Sequence, residues 1–470
     1  MMRKAIVPDW LVAMAVVGLI AGVCLLLVLL FPATGNAEAN PTTGATNWYF
    51  AEGNTLPEFQ EFLCLANTGN QTARVQFEFQ LEDGGVLPGT ATVDPHSRAT
   101  VNVKSFVPEG HSGVSTHVQS NVPVVVERPM YFDYKGIWTG GSDSMGQTAL
   151  QTTFFYPEGT TRSNPADGSF EEWLCLQNPG DGMATATVTY MFTAGGTMER
   201  LYPVAPHSRY TVSVNNVVGP DKDVSLKVES ETPIACERPI YFDYHGEIQD
   251  GSTAVGAPGP ATRWYFAEGS NRPGFDTYLC VQNPGNRVAN VSVTLPSDTQ
   301  IAPRLAVQVQ PMSRYTLPLK NDLVAPGSDF GIEVSSDVPV VAERPMYVDA
   351  GGLRGGDTAM GVTTPMTEWS FAEGTTRQGF ETYLTLLNPN ERMATAEVRY
   401  QFPDGYVQDK SYTLNANSRF TINVAADIGD AKDVATTVIS SLPIVAERPM
   451  YFDLAYHGSS VTTGFGGGEK

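Results

Sequence analysis

The chain has 470 residues, too many for one core at roughly 150 residues per domain. Its 50 Asp plus Glu outnumber 29 Lys plus Arg, leaving a net charge of −21 that argues against nucleic acid or anionic lipid as a partner. Charged residues are only 17% of the chain, while 45 Gly and 33 Pro punctuate runs of Val, Thr, Tyr and Phe, the composition of an all-β protein with many turns.

Arg3 and Lys4 precede the uncharged apolar run Trp10–Phe31. Its 22 residues are long enough to span a bilayer core of about 30 Å and longer than the usual secretory apolar segment. The reading preferred is a single-span anchor with the basic residues held inside, so that the membrane is one partner and the rest of the chain is extracellular. The alternative is a signal peptide cleaved near Ala37-Glu38-Ala39 and a secreted product. Residues 1–45 then form the anchor or signal segment with a short linker.

From residue 46 four markers recur in order. An aromatic start ends in Glu-Gly: WYFAEG at Trp48, FFYPEG at Phe154, WYFAEG at Trp264 and WSFAEG at Trp369. A strand follows that leads to Asn67, Asn178, Asn283 and Asn388. The next strand alternates, with Val75, Phe77 and Phe79 on one face and Arg74, Gln76 and Glu78 on the other, as a half-buried strand does. Ser-Arg comes next, at Arg98, Arg209, Arg314 and Arg419. The string Glu-Arg-Pro closes each copy, at Glu127, Glu237, Glu343 and Glu447, spaced 110, 106 and 104 residues apart. That period is a whole small domain rather than a solenoid repeat. About seven short strands per copy suggest two packed antiparallel sheets. The expectation is four tandem immunoglobulin-like β-sandwiches: residues 46–150, 151–261, 262–366 and 367–470. Gly-rich segments such as 139–146, 250–256 and 355–361 read as loops between them.

Strand parity puts Arg128 on the more apolar face of its strand, beside small residues in every copy: Val126, Cys236, Ala342, Ala446. A buried guanidinium needs a carboxylate. The expected partners are the Glu residues of the aromatic start within the same copy: Arg128 with Glu52, Arg238 with Glu158, Arg344 with Glu268 and Arg448 with Glu373. Pro129 fits an edge or bulge, where no ladder donor is needed. Arg98, Arg209, Arg314 and Arg419 alternate away from the apolar face, toward solvent or a neighbouring copy, and form a candidate surface for an anionic or sugar ligand. Trp48, Trp264 and Trp369 read as core more readily than as sugar platforms.

No catalytic constellation, phosphate loop or metal signature occurs, so no enzyme activity, metal or cofactor is expected. The column His96, His207, Met312, Asn417 does not keep a ligand, and Gly219–Asp223 reads as a turn rather than a Ca²⁺ loop. Only the second copy carries Cys in both recurrent columns, so Cys175–Cys236 is the one disulfide these columns allow within a copy.

The combination WYFAEG, LxNP, SRxTVxV and AERPMYF over residues 46–460 resembles a tandem repeat of bacterial secreted and surface proteins, notably of actinobacterial type. The resemblance implies β-sandwich repeats outside the cell and brings no activity with it. The resulting expectation is a stalk, an adhesive or a multivalent binder of cell-wall or environmental polysaccharide. A module of a secreted enzyme system and a surface-layer subunit that binds its own copies are the alternatives.

Overall fold

A computed structural model describes residues 43–164, 166, 168–297, 304–320 and 327–467. The expected span Trp10–Phe31 lies outside these residues. Among the described residues no helix is long and apolar enough to cross a membrane.

The first repeat contains seven strands: β1 (Ala45–Phe50), β2 (Phe59–Asn67), β3 (Ala73–Leu81), β4 (Val86–Val93), β5 (Ser97–Asn102), β6 (Val114–Tyr134) and β7 (Trp138–Met145). All pairings are antiparallel. Strand β6 is 21 residues long and serves two sheets. Its first half pairs with β1 and β3, and its second half with β2 and β7. One sheet therefore runs β4-β3-β6-β1 and the other β5-β2-β6-β7. The two antiparallel sheets that strand counting suggested are present, but this order, with one long strand shared between them, is not that of the expected immunoglobulin-like domain. The other repeats have the same plan, with long strands at Val224–Tyr244, Ile332–Ala350 and Ala435–Asp453.

The alternation seen in the sequence sets each core. Val75, Phe77 and Phe79 meet Leu63, Leu65, Trp48 and Phe50 between the two sheets, while Arg74, Gln76 and Glu78 stay exposed. Trp48, Trp264 and Trp369 are core residues, each donating its indole N–H to the same carbonyl position, Val124, Val340 and Ile444, at 2.8–2.9 Å. The recurrent Asn is structural too: Asn67 and Asn178 each donate to the end of the fourth strand at 3.0 Å. His96, His207, Met312 and Asn417 share a turn position with φ between 48° and 53°, which explains a column that keeps a conformation and not a side chain.

The four repeats close on themselves around an axis. The strand that follows each Glu-Arg-Pro string (β7, Ile248–Val255, Leu353–Met360, His457–Thr463) lies there, so the Gly-rich segments read as loops are the axial strands. Asp250 marks the axis. Its Oδ1 accepts the backbone N–H of Gly141 and Gly251, and its Oδ2 those of Gly356 and Ser459, at 2.7–2.9 Å, one from each repeat. The matching residues elsewhere are Gly140, Gly355 and Gly458, where a Cβ would collide with this carboxylate. Gly is demanded by this close approach rather than by a turn. Burial holds the Asp250 carboxyl well above its ordinary range, against the four N–H groups that pull it down. The closed arrangement replaces the end-to-end order that a stalk requires.

Closure uses the Glu-Arg-Pro string. Adjacent residues of a strand point to opposite faces, so each repeat offers Glu to one neighbour and Arg to the other. Arg128 pairs with Glu237 at 2.9 Å, Arg238 with Glu343 at 3.4 Å, Arg344 with Glu447 at 3.4 Å and Arg448 with Glu127 at 2.7 Å. A head-to-tail contact that repeats and closes gives a ring. The expected pairs within one copy are thus corrected. Arg128, Arg238, Arg344 and Arg448 do reach Glu52, Glu158, Glu268 and Glu373, but at their main-chain carbonyls. Three of those Glu residues present their backbone N–H to the following repeat's carboxylate at 2.6–2.7 Å. Pro129 fills a break in the ladder, since β2 and β6 pair at Glu61↔Met130 and Cys64↔Glu127 with nothing between.

Candidate functional site

A second set of pairs lies outside the first. Arg209 meets Glu52 at 3.2 Å, Arg314 meets Glu158 at 2.7 Å, Arg98 meets Glu373 at 2.6 Å, and Arg419 meets Glu268. Each again joins one repeat to the next, and Arg98–Glu373 joins the fourth to the first. The Ser-Arg arginines are buried at 3–6% exposure, so the solvent-facing expectation is corrected in favour of the neighbouring repeat. Guanidinium Nε groups also reach main-chain carbonyls across the seam: Arg98 to Ala372, Arg314 to Pro157 and Arg419 to Ala267, at 2.9–3.1 Å.

The Cys column belongs to this cluster. Cys64 donates its thiol to Glu373, Cys175 to Glu52 and Cys280 to Glu158, at 2.6–2.7 Å. Burial, with the adjacent carboxylates, pushes these thiols up, so they stay protonated donors. Cys175 and Cys236 are both free, which corrects the expected disulfide. Cys175 faces Glu52 across the seam, whereas Cys236 lies in the core of the second repeat.

Above three of the outer pairs opens a cleft between two repeats, walled by aromatic rings. The cleft between repeats one and two has a volume of about 490 Å³ and is walled by Phe59, Tyr134, Trp173 and Tyr241 over Glu52 and Arg209. Tyr134 stacks on Tyr241 across the seam, with centroids 4.0 Å apart and planes at 4°. Its hydroxyl accepts the Trp173 indole N–H at 3.2 Å. Between repeats two and three only about 90 Å³ remains; there Tyr244 stacks on Tyr347 at 3.8 Å and hydrogen-bonds Tyr278 at 2.8 Å. Between repeats three and four the volume reaches about 730 Å³, over Glu268 and Arg419, with Phe275, Tyr383 and Tyr451 as walls. Rigid aromatic walls above a few fixed polar groups are what a small polar ligand requires.

Two buried carboxyls stand behind the outer pairs. Burial raises Glu61 and Glu172 to about 8, with Arg128 and Arg238 respectively pulling the other way. Thr277 and Thr382 hold the equivalent positions in the other repeats, where Thr277 bonds to the backbone of Ser270.

Sequence reasoning found both arginine columns and the Glu of the aromatic start. It missed Asp250, Glu61 and Glu172, and the wall residues Tyr134, Trp173 and Tyr241. Asp250 carried a signal, as the lone acidic residue in a column of Gly.

No family model matches the chain, and no curated protein sequence matches it. Among solved structures it is similar to Thermotoga maritima 1070, at 22% identity over 22% of this chain and 94% of that one, with TM-score 0.21. It is also similar to the Anabaena sensory rhodopsin transducer, at 23% identity over 18% of this chain and 87% of that one, with TM-score 0.17. A tetra-tandem repeat from the extending region of a large adhesion protein aligns at 10% identity over 86% of this chain and 93% of that one, with TM-score 0.11.

Proposed function

We propose that this chain is a non-enzymatic recognition protein, a member of a bacterial surface-repeat family, that binds polysaccharide in the clefts between its repeats. The N-terminal apolar segment would hold the ring at the outer face of the cell membrane. The observation that carries the reading is the repeated pairing of an aromatic wall with an Arg–Glu floor at the seams. Sugars offer a C–H face to an aromatic ring and hydroxyls to a charged pair, and both are in reach of one cleft. Assembly into a surface layer through the repeat faces is disfavoured, because the ring already consumes those faces.

A pull-down of the detergent-solubilised chain with isolated cell walls and a polysaccharide panel tests this. Binding should be retained, and should fall when Trp173 and Tyr383, half-buried wall residues, are both changed to Ala. The buried arginines are unsuitable for this purpose, since their loss would disturb the ring. Binding that is absent from every polymer, or indifferent to both substitutions, would remove the reading.

A further inference from the structure

The seams after repeats one and two share one design, and the seam between repeats three and four departs from it in three places; the fourth repeat carries Leu454 at the tyrosine position, and among the described residues no comparable cleft opens over its Arg98–Glu373 pair. In the first two repeats Tyr134 and Tyr244 cross the seam and stack on Tyr241 and Tyr347. The third repeat has Ala350 at that position, so no ring from that repeat stacks on Tyr451, which keeps the edge contact with Tyr383 of its own repeat at 6.1 Å. In the first two repeats the next residue, Lys135 or His245, also lines the cleft. The third repeat has Gly351 there, in a hairpin shortened to Gly351-Gly352, both at positive φ (64° and 92°). Finally, the thiol that elsewhere donates to the outer Glu is replaced by Thr385, whose hydroxyl turns to the Glu447 carbonyl at 3.2 Å. Among the described residues, Arg419 alone donates a side-chain hydrogen bond to the Glu268 carboxylate.

All three changes lie on the same cleft, whose volume is about 730 Å³ against about 490 and 90 Å³ in the two clefts that carry the tyrosine. We infer that this cleft is the chain's specific ligand subsite, with a neutral pyranose stacked on Tyr451 in the space left by the missing tyrosine ring and a sugar hydroxyl donating to Glu268. The inference rests on the polysaccharide reading above and narrows it from several seams to one. Neutrality follows from the charges, because Arg419 is paired with Glu268 and Arg272 with Asp329. A charged ligand would have to break one of those pairs. The first two tyrosines thus act as built-in occupants of their own clefts.

Isothermal titration of the full chain in mild detergent with cellotriose, maltotriose, xylotriose and chitotriose tests the assignment. At least one should bind at a single site per chain. Ala350→Tyr should weaken it at least about tenfold, an energy of about 1.4 kcal/mol, without lowering the unfolding midpoint. Thr385→Cys restores the thiol donor to Glu268, should weaken binding in the same direction, and carries the test if Ala350→Tyr does not fold. Leu201→Ser, exposed and outside the lining of the clefts, should leave affinity unchanged, and Trp173→Ala, in the first cleft, should weaken it less than Ala350→Tyr does. Two or more sites per chain, or affinity indifferent to both Ala350→Tyr and Thr385→Cys, overturns the assignment. Loss of binding in Trp173→Ala alone moves the site to the first cleft and leaves polysaccharide recognition standing. No binding of any of the four sugars counts against both.

Discussion

The inner and outer rings of ion pairs use the same two residue types and differ in what they tolerate. In the inner ring Arg and Glu are sequence neighbours, their side chains are 0–1% exposed, and all four copies agree. In the outer ring the Arg lies on a strand and the Glu in the loop after another strand, the carboxylates are 5–10% exposed, and Cys gives way to Thr once. Desolvating an ion costs several kcal/mol, so a fully buried pair adds little net stability but makes any wrong pairing expensive. The inner ring therefore selects one closed arrangement. The outer ring touches solvent-filled clefts, where variation changes what can bind rather than whether the ring forms.

Breaking the inner ring should have the largest effect. Arg128→Met strands Glu237 in a dry site, with an expected loss of about 3–5 kcal/mol in a denaturant titration. Asp250→Gly makes the axis uniform but leaves four N–H groups to water, at a cost of about 3 kcal/mol by the same measurement. A neutral or stabilising result there would mean that the axial carboxylate is not what holds the four strands together. Arg209→Met should cost less, about 2 kcal/mol, because Glu52 sits at the edge of a cleft and can be hydrated.

The carboxyls behind the rings sharpen the comparison through pH. Glu61 and Glu172 stay protonated to about 8 in the fold, while the unfolded chain releases those protons near 4.5. Their contribution is therefore complete below about 4.5 and is lost as pH rises through about 8. The midpoint of unfolding should fall over that window. Glu61→Gln with Glu172→Gln should flatten the slope without abolishing it, since Glu343 and Asp357, each raised to about 7 mainly by burial, act in the same direction. The smallest effect belongs to the thiols. Cys280→Ser keeps a donor for Glu158 and should change stability by less than about 1 kcal/mol. Alkylation of Cys64, Cys175 and Cys280 should proceed only on unfolding.

The repeats, the strand alternation and the need to satisfy a buried arginine were legible because each recurs as a column. Which Glu answers Arg128 was not legible. In a tandem repeat a column says that Arg and Glu meet without saying in whose copy, and only closure decides for Glu237 over Glu52. The Gly-rich segments misled for a related reason. Gly weakens a strand, so Thr139–Gly146 reads as a loop, yet at an axis shared by four backbones Gly is the residue that fits. The clefts were invisible because Tyr134 and Tyr241 belong to different repeats and meet only in the ring.

Three of the four seams are crossed by the polypeptide and one is not. At that one Phe465 packs on Trp48 with centroids 5.0 Å apart and pairs with Ser370, and Gly467 lies against Thr43. The order of the repeats along the chain is in this sense a matter of where a circle is cut. A chain reconnected from Gly467 to Thr43 and opened instead near Ala149 should fold to the same ring, because every non-covalent contact would be kept. The three covalent seams supply local concentration, in the millimolar range for short tethers, where four separate chains would have to meet by diffusion. Hydrogen exchange should accordingly find its fastest-opening interface where Phe465 meets Trp48.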